Sequence, residues 1–250
     1  MNETYSIGKV RISRTTPYLL CTQVAALVAS GRPSYVCVSN VRTVALGNQD
    51  ENYRQVMHEA ALCIPDGMPL VWMARLWGLK DVQRSTGPDL FVRMLSDSQS
   101  GLRHFLLGDT EETLAAIRAK YPDANICGTL SPPFCEVDDF NYEGIARIVN
   151  QSGADIIWVS LRSPKQDFFA ARLLPFLNRG ICIGVGAAFR FAVGRIKHPP
   201  EYIKTLGLTG LFWRKIDIRK VGWYIHHFFL LCKWGSGIFL TKFTKGCSKT

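Results

Sequence analysis

The sequence predicts an α/β protein built on a mostly parallel sheet with helices on both faces. Short apolar runs, several of them rich in β-branched residues, alternate with segments whose apolar residues recur at helical spacing. This alternation repeats five or six times between residues 35 and 185, as expected when each strand is followed by a crossover helix. Polar or glycine-rich strings follow several of the apolar runs, and ligands of such sheets bind where the strands end.

The predicted elements follow one another in a regular order. A strand over residues 35–39 leads into a helix over 41–59. Further strands are expected over 61–64, 103–107, 125–128, 156–161 and 181–185, and further helices over 68–76, 110–120, 141–151 and 168–177. Strand signals stop near residue 198. We therefore predict a Rossmann-like core over residues 1–197 and a C-terminal, basic and aromatic helical appendage over 198–250.

The distribution of charge favours anionic partners. The 250-residue chain carries a net charge of +10, and between residues 190 and 250 many Lys and Arg residues stand against only Glu201 and Asp217. Basic residues interleaved with large aromatic ones are typical of an interfacial membrane segment, so an anionic membrane surface is an expected partner. The alternative is an ordinary amphipathic helix packed on the core. A nucleic-acid-binding protein is a further alternative, but no nucleic-acid motif accompanies the charge, and we expect no nucleic-acid partner.

Cysteine usage and the N-terminus indicate the compartment. The eight cysteines contain no C-x-x-C pair, and most lie in apolar runs, which predicts reduced thiols. The N-terminus has no basic stretch followed by an apolar one, and no run reaches the ~18 apolar residues of a spanning helix. We expect a cytoplasmic protein, peripheral on the inner face of the cell membrane. A homo-oligomer is among the states that remain open.

Three strings at predicted strand ends form the candidate site. They are residues 64–68 (IPDGM), 163–167 (SPKQD) and 184–189 (GVGAAF), and together they predict a site for a phosphorylated substrate. Asp66 is the acid among them that is placed for proton transfer, because partial burial at a strand end raises a carboxyl pKa towards that of a general base. A Pro-Asp-Gly string is also a good turn, which is the alternative for Asp66.

Other polar residues occupy similar positions. Asn40 ends the first predicted strand and is either a substrate ligand or a helix cap. Arg84 lies in a polar loop and is either a ligand of phosphate or carboxylate or a solvated surface residue. Asp89 is expected to be a turn or cap residue.

Phosphate ligands are predicted in three loops. Gly108 and Gly186 place free backbone N–H groups between a strand and a helix, which suits an anion. The glycine-rich turn around Gly186 lacks the third glycine of a dinucleotide fingerprint, which argues against NAD. Lys165 is a candidate phosphate ligand, and Gln166 can bond a sugar hydroxyl or a phosphate oxygen. The five histidines have no metal-ligand spacing and no D-x-D pair occurs, so we expect no metal and no cofactor.

The strings, in their order and spacing, resemble the bacterial WecG/TagA/CpsF glycosyltransferase family of the N-acetylmannosaminyltransferase type. The likeness covers about residues 35 to 225. It rests on Asn40, residues 62–72 (LCIPDGMPLVW), Arg84 with residues 87–91 (GPDLF), residues 105–108 (FLLG), residues 131–134 (SPPF), and the strings at 163–167 and 184–189.

The resemblance implies an inverting, metal-independent transfer of a sugar from a UDP-sugar to a polyprenyl-diphosphate-linked saccharide in bacterial surface polysaccharide synthesis. It implies that Asp66 is the general base and that Asn40, Arg84 and Gln166 serve substrate binding or catalysis. It also implies a C-terminal membrane-targeting lid that brings cations to the diphosphate. The cations in that position are Arg214, Arg219 and Lys220.

The chain departs from the family pattern at several positions. Arg162 stands where the family has Gly, Arg190 where Asp is usual, and Trp213 where Arg is usual. We expect Arg190 to bind substrate, and the two added positive charges indicate a different donor or acceptor, such as an acidic sugar. A catalytically inactive subunit that binds a nucleotide sugar is the alternative to an enzyme.

Overall fold

The computed structural model describes residues 3–200 and residue 203. Within these residues, six strands form one sheet, and every neighbouring pair is parallel. The strands are β3 (Ser34–Ser39), β4 (Leu62–Pro65), β5 (His104–Gly108), β6 (Ile126–Leu130), β7 (Ile156–Ser160) and β8 (Ile181–Gly184). Their order across the sheet is β4-β3-β8-β7-β5-β6. The predicted α/β class with a parallel sheet is confirmed.

Helices cover both faces of the sheet, as predicted. One face packs against helices α2 (Val41–Gln49), α3 (Glu51–Glu59), α4 (Met68–Leu76), α7 (Tyr142–Ser152) and α8 (Lys165–Leu173), and against a hairpin of β1 (Thr4–Ile7) and β2 (Val10–Ser13). The other face packs against α1 (Pro17–Ala29), α5 (Gly87–Leu95), α6 (Glu111–Lys120) and α9 (Ala188–Ala192). The strands therefore lie in the middle layer of a three-layer structure.

Strand β7 shows why the apolar runs become central strands. All five of its residues are buried, and successive side chains point to opposite faces. Ile157 and Val159 join the core on the side of α8, whereas Ile156 and Trp158 join the core on the side of α5. A strand covered on both faces needs apolar residues along its length, which is the pattern of residues 156–159, and the polar Ser160 ends the strand.

An aromatic cluster joins α5, β7 and α9 beneath the sheet. The ring of Phe91 lies 5.2 Å from that of Trp158, edge to face, and 5.0 Å from that of Phe189. The Trp158 indole N–H donates to His104 Nδ1 at 3.2 Å. Burial lowers the pKa of His104 to about 4, so the ring stays neutral and can accept this bond.

Several element boundaries differ from the sequence prediction. The single helix predicted over 41–59 is two helices, because Asp50 adopts an extended conformation and its side chain accepts from the Tyr53 N–H to cap α3. The helix predicted over 168–177 begins at Lys165 and ends at Leu173 in a short 3-10 turn that contains Pro175, which has no N–H to continue the helix.

The N-terminal hairpin and the helices α1, α5 and α9 were not predicted. Helix α1 contains no charged residue, so it lacks the alternation of apolar and polar faces that marks a surface helix. Helix α5 begins with Gly and Pro, which favoured a turn, yet Pro suits the first turn of a helix, and Thr86 caps it. No described helix is long and apolar enough to cross a membrane. The predicted appendage over 198–250 falls almost wholly outside the described residues.

Candidate active site

The strings predicted to form a site meet at one edge of the sheet. Because the strands are parallel, their carboxyl ends lie on the same side. Asn40 directly follows β3, Asp66 follows β4, Gly108 ends β5, and Gly186 lies two residues beyond β8. Lys165 and Gln166 begin α8, a few residues after β7 ends at this edge.

Asp66 is partly buried at this edge, immediately before α4. Its backbone N–H donates to the Ser39 carbonyl at 2.6 Å, which continues the pairing of β4 with β3. Gly67, with φ of 123°, then turns the chain into the helix, a backbone conformation that side-chain-bearing residues rarely adopt. Burial raises the pKa of the Asp66 carboxyl to about 6, while the Arg84 charge opposes this rise and the Asp89 charge adds to it. The carboxylate is thus poised for proton transfer near neutral pH.

Arg84 is held near Asp66 by the loop before α5. The Ser85 N–H donates to the Pro65 carbonyl at 2.9 Å, so this loop runs along the end of β4. Arg84 Nη2 lies 3.7 Å from the Asp89 carboxylate, and 22% of the Arg84 side chain is exposed. The guanidinium is therefore available to an anion that approaches Asp66.

Asn40 caps helix α2. Its Oδ1 accepts from the backbone N–H groups of Arg42 and Thr43 at 3.0 and 3.2 Å. The Asn40 N–H donates in return to Thr43 Oγ1 at 2.8 Å, completing a capping box. The side-chain carbonyl is thus committed to the cap, and within the described residues the Nδ2 amide remains for a ligand.

The turn around Gly186 is pinned by two side chains from the neighbouring strand and helix. Gln166, which is buried, accepts from the Gly186 N–H through Oε1 at 2.9 Å. The Ser160 hydroxyl donates to the Gly186 carbonyl at 2.6 Å. Gly184 lies directly against Gln166, since an added Cβ there would be 2.8 Å from Nε2. An anion at the Gly186 N–H would have to displace the Gln166 oxygen, so Gln166 shapes this loop in the described structure.

The β5–α6 loop contains a strained residue that sequence reasoning did not single out. Gly108 has φ of 114°, and Asp109 has φ of 60°, the one non-glycine residue with positive φ among the described residues. Asp109 Oδ1 accepts from the Thr110 N–H at 2.9 Å and from Thr113 Oγ1 at 3.0 Å. These local bonds, which Asp forms readily, stabilise the left-handed conformation. A Gly-Asp-Thr string after a strand was the available signal.

Arg190 is tied to this loop. Its Nε donates to Asp109 Oδ2 at 2.8 Å, where 4% of the Asp109 side chain and 52% of the Arg190 side chain are exposed. The pair connects α9 with the start of α6. The remaining N–H groups of the guanidinium make no other hydrogen bond within the described residues, so they face the solvent at the site edge.

Lys165 points to the loop that follows β6. Its Nζ donates to the Cys135 carbonyl and lies 5.2 Å from the centroids of both the Phe134 and the Phe140 rings. The predicted phosphate ligand thus has partners of its own in this structure, and a phosphate would have to draw it away from them.

Asp167 is a buried acid that the sequence did not single out, although it ends the string at 163–167. Its Oδ2 accepts from the Tyr53 hydroxyl at 2.7 Å and from the Ser163 hydroxyl at 2.9 Å. Oδ1 has no hydrogen-bond partner among the described residues. Burial raises the pKa of Asp167 to about 6, and the two hydroxyl bonds oppose the rise. Asp167 anchors the start of α8, and thereby Gln166, to α3.

The three cations that were predicted to serve the acceptor diphosphate, Arg214, Arg219 and Lys220, lie outside the described residues. Within the described part of the chain, no three His, Cys, Asp or Glu side chains are placed to hold a metal ion, and the cysteines described there are free.

The fold is a parallel sheet between two layers of helices, and its carboxyl edge carries a partly buried acid, an arginine and a glycine-rich turn. This combination defines a class of ligand-binding enzyme folds. Comparison with known proteins makes this specific. The family model described as "Glycosyl transferase WecG/TagA/CpsF family" matches residues 5–220, and the chain belongs to this family.

Curated relatives from two Bacillus species are similar to the chain. Each is named N-acetylglucosaminyldiphosphoundecaprenol N-acetyl-beta-D-mannosaminyltransferase, one from Bacillus spizizenii strain W23 and one from Bacillus subtilis strain 168. Each is 26% identical over 169 residues, which is 66% of this chain. The chain matches 64% of the length of these relatives.

Two substitutions at Asn40 distinguish its role as a helix cap from a role in binding substrate. Asn40→Ala removes both cap bonds and should lower the free energy of unfolding by about 1 kcal/mol, whereas Asn40→Asp keeps a cap acceptor and should keep the stability. Denaturant unfolding measures both. If the Ala variant is as stable as the wild type, the cap contributes nothing. If the Asp variant is stable but loses ligand binding, the Nδ2 amide binds the ligand.

Proposed function

We propose that this protein is a glycosyltransferase that moves a sugar from a UDP-sugar to a saccharide linked to polyprenyl diphosphate, in the synthesis of a bacterial surface polysaccharide. The observation that carries the proposal is the partly buried Asp66, with its raised pKa, next to Arg84 at the carboxyl edge of the sheet. Membership of the family supports the reaction class, and the names of the Bacillus relatives support a lipid-linked acceptor.

Asp66 acts as the general base in this proposal. Its carboxylate removes the proton from an acceptor hydroxyl, and the oxygen attacks the anomeric carbon of the donor sugar. The bond between that carbon and the phosphate oxygen breaks, so UDP leaves with the bonding electron pair. A single displacement on the face opposite the leaving group inverts the anomeric configuration. Asn40 and Gln166 act with Asp66 by fixing the loops around the reacting atoms.

The negative charge of UDP must be stabilised as it leaves. We assign this task to Lys165, Arg190 and the backbone near Gly108, with Arg214, Arg219 and Lys220 directed to the acceptor diphosphate. These cations suit a reaction without a divalent metal or other cofactor, as the lack of a D-x-D pair in the sequence suggested. The added charges of Arg162 and Arg190 favour a donor or acceptor that differs from those of the relatives, such as an acidic sugar.

The protein is proposed to work at the inner face of the cell membrane. Its acceptor would carry a lipid that stays in the bilayer, and the last quarter of the chain combines basic and aromatic residues. Residues 198–250 would thus serve as a peripheral anchor and as the source of cations for the diphosphate.

Asp66→Asn should lower turnover by roughly 10²–10⁴-fold and leave donor binding nearly intact, because the amide keeps the shape but cannot accept the proton. In the wild type, turnover should fall as the pH drops through about 6, since Asp66 is an active base only when ionised. The residual turnover of the variant should lack this dependence. Steady-state kinetics from pH 5 to 8 with donor titration tests both points.

Asp123→Asn is the matched control, because Asp123 is exposed in the turn after α6 and away from the sheet edge. It should behave as the wild type. Wild-type turnover in Asp66→Asn would refute the base assignment. Donor binding by the wild-type protein without turnover on any prenyl-diphosphate acceptor would favour the inactive subunit instead.

Transfer should be insensitive to chelators. Cations from the chain replace the metal that would otherwise neutralise UDP, so an excess of EDTA should change the rate less than about twofold. The measurement is initial rate with EDTA, and again after addition of Mg²⁺ or Mn²⁺. Loss of activity in EDTA with recovery in either metal would show that the reaction needs a metal.

The 250-residue chain should sediment with vesicles that contain anionic lipid, and increasing salt should release it, because each Lys or Arg near the surface contributes about 1 kcal/mol. Neutral vesicles should bind it less. A form that ends after residue 200 should stay in the supernatant. Equal sedimentation of the two forms would show that residues 201–250 are not the anchor.

A further inference from the structure

An open groove between α1 and α5 adjoins the candidate base. It is lined by Pro17, Leu20, Arg84, Asp89, Leu90 and Arg93, together with the Ser85–Thr86 turn. The floor is apolar, because Leu20 and Leu90 are buried beneath it. The groove begins at the residues that set the electrostatic environment of Asp66, since the charges of Arg84 and Asp89 both act on that carboxyl.

The groove is cationic on balance. Arg84 and Arg93 stand against the single carboxylate of Asp89, which lies 3.7 Å from Arg84 Nη2. Arg93 follows Asp89 by one helical turn, is exposed, and has no hydrogen bond or ion pair with any residue in the described part of the chain. Its charge also acts on the Cys21 thiol, which places it beside α1. An anion in the groove would meet a cation without a competing partner.

Two large apolar side chains that follow the groove-lining Pro17 in the sequence are exposed. Tyr18 is 80% exposed and Leu19 is 43% exposed at the start of α1, next to Pro17. The first turn of α1 therefore offers an apolar surface at the same edge of the sheet as Asp66. A surface that combines the two arginines of the groove with exposed apolar side chains suits a ligand with an anionic head and a hydrocarbon tail.

We propose that this groove binds the prenyl diphosphate of the acceptor, with Arg93 and Arg84 contacting the phosphates and with Tyr18, Leu19 and Pro17 contacting the first isoprene units. This inference rests on the proposed function and assigns the acceptor side of the same site. The acceptor saccharide lies at Asp66, the diphosphate follows along α5, and the lipid leaves across the start of α1. Arg93 is a binding residue that neither the motifs nor the family strings indicated.

Binding of short prenyl diphosphates to the 250-residue chain tests the groove without any need for turnover. The probes are farnesyl diphosphate, inorganic pyrophosphate and farnesol, measured by calorimetry. Farnesyl diphosphate should bind more tightly than pyrophosphate or farnesol, since it has both the diphosphate and the isoprenoid chain. Arg93→Ala should weaken it about tenfold, and Leu19→Ser should weaken it by a smaller factor. Arg147→Ala is the matched control, because Arg147 is exposed on α7 against the opposite face of the sheet.

Kinetics separates this proposal from the proposed function. With a prenyl-diphosphate acceptor, Arg93→Ala should raise the acceptor KM about tenfold and leave kcat and the donor KM unchanged. If Arg93→Ala transfers sugar with an unchanged acceptor KM, or with a raised donor KM instead, the groove does not bind the acceptor, although the protein is still a glycosyltransferase. If Arg93→Ala weakens the binding of farnesyl diphosphate but the wild-type protein transfers no sugar, the binding site in the groove is supported and the proposed function is wrong. Equal affinities for pyrophosphate and farnesyl diphosphate would show that the groove does not contact the prenyl chain.

Discussion

Ser160, the last residue of β7, fixes the distance between three loops of the candidate site. Its carbonyl lies so close to Gly108 that an added Cβ there would be 2.7 Å from the oxygen. Its hydroxyl holds the Gly186 carbonyl at 2.6 Å, while Gln166 holds the N–H of the same residue. The loops after β5 and β8 are thereby held against the end of β7. Gly108 allows this approach, because a side chain at that position would force the two loops apart.

Three cations at the site edge have protein partners before any substrate is considered. Arg190 contacts Asp109, Arg84 lies near Asp89, and Lys165 donates to a backbone carbonyl. Such pairing holds flexible side chains in place, so less conformational entropy is lost when they bind a ligand. A phosphate must compete with the existing partners, which favours ligands carrying more than one negative charge. Nucleoside and prenyl diphosphates have that property.

Sequence patterns predicted the sheet and the residues at its carboxyl edge because both depend on local signals. A buried strand such as β7 needs apolar residues on both faces, as at 156–159, and the polar residue that follows them, Ser160, lies at the edge. The cap that Asn40 forms is local, and it was one of the two alternatives that the sequence offered. The contact of Gln166 with a glycine 20 residues away could not be predicted, because it depends on the packing of separate elements. Helix α1 escaped prediction because it lacks charge, and Asp50 divided a helix whose apolar spacing runs through it.

The contact of Phe91 with Trp158 and Phe189 has a mechanical consequence. Phe91 belongs to α5, which forms one wall of the groove, and Phe189 belongs to α9, which follows the Gly186 turn. Close-packed rings cannot shift separately without opening a void or overlapping, and both carry a cost in free energy. Helix α5, beside the groove, and helix α9, beside the Gly186 turn, are therefore packed on the same rigid cluster of rings. A tilt of either helix would be transmitted to the other, so the spacing between whatever binds on the two sides is fixed by three rings that neither ligand touches.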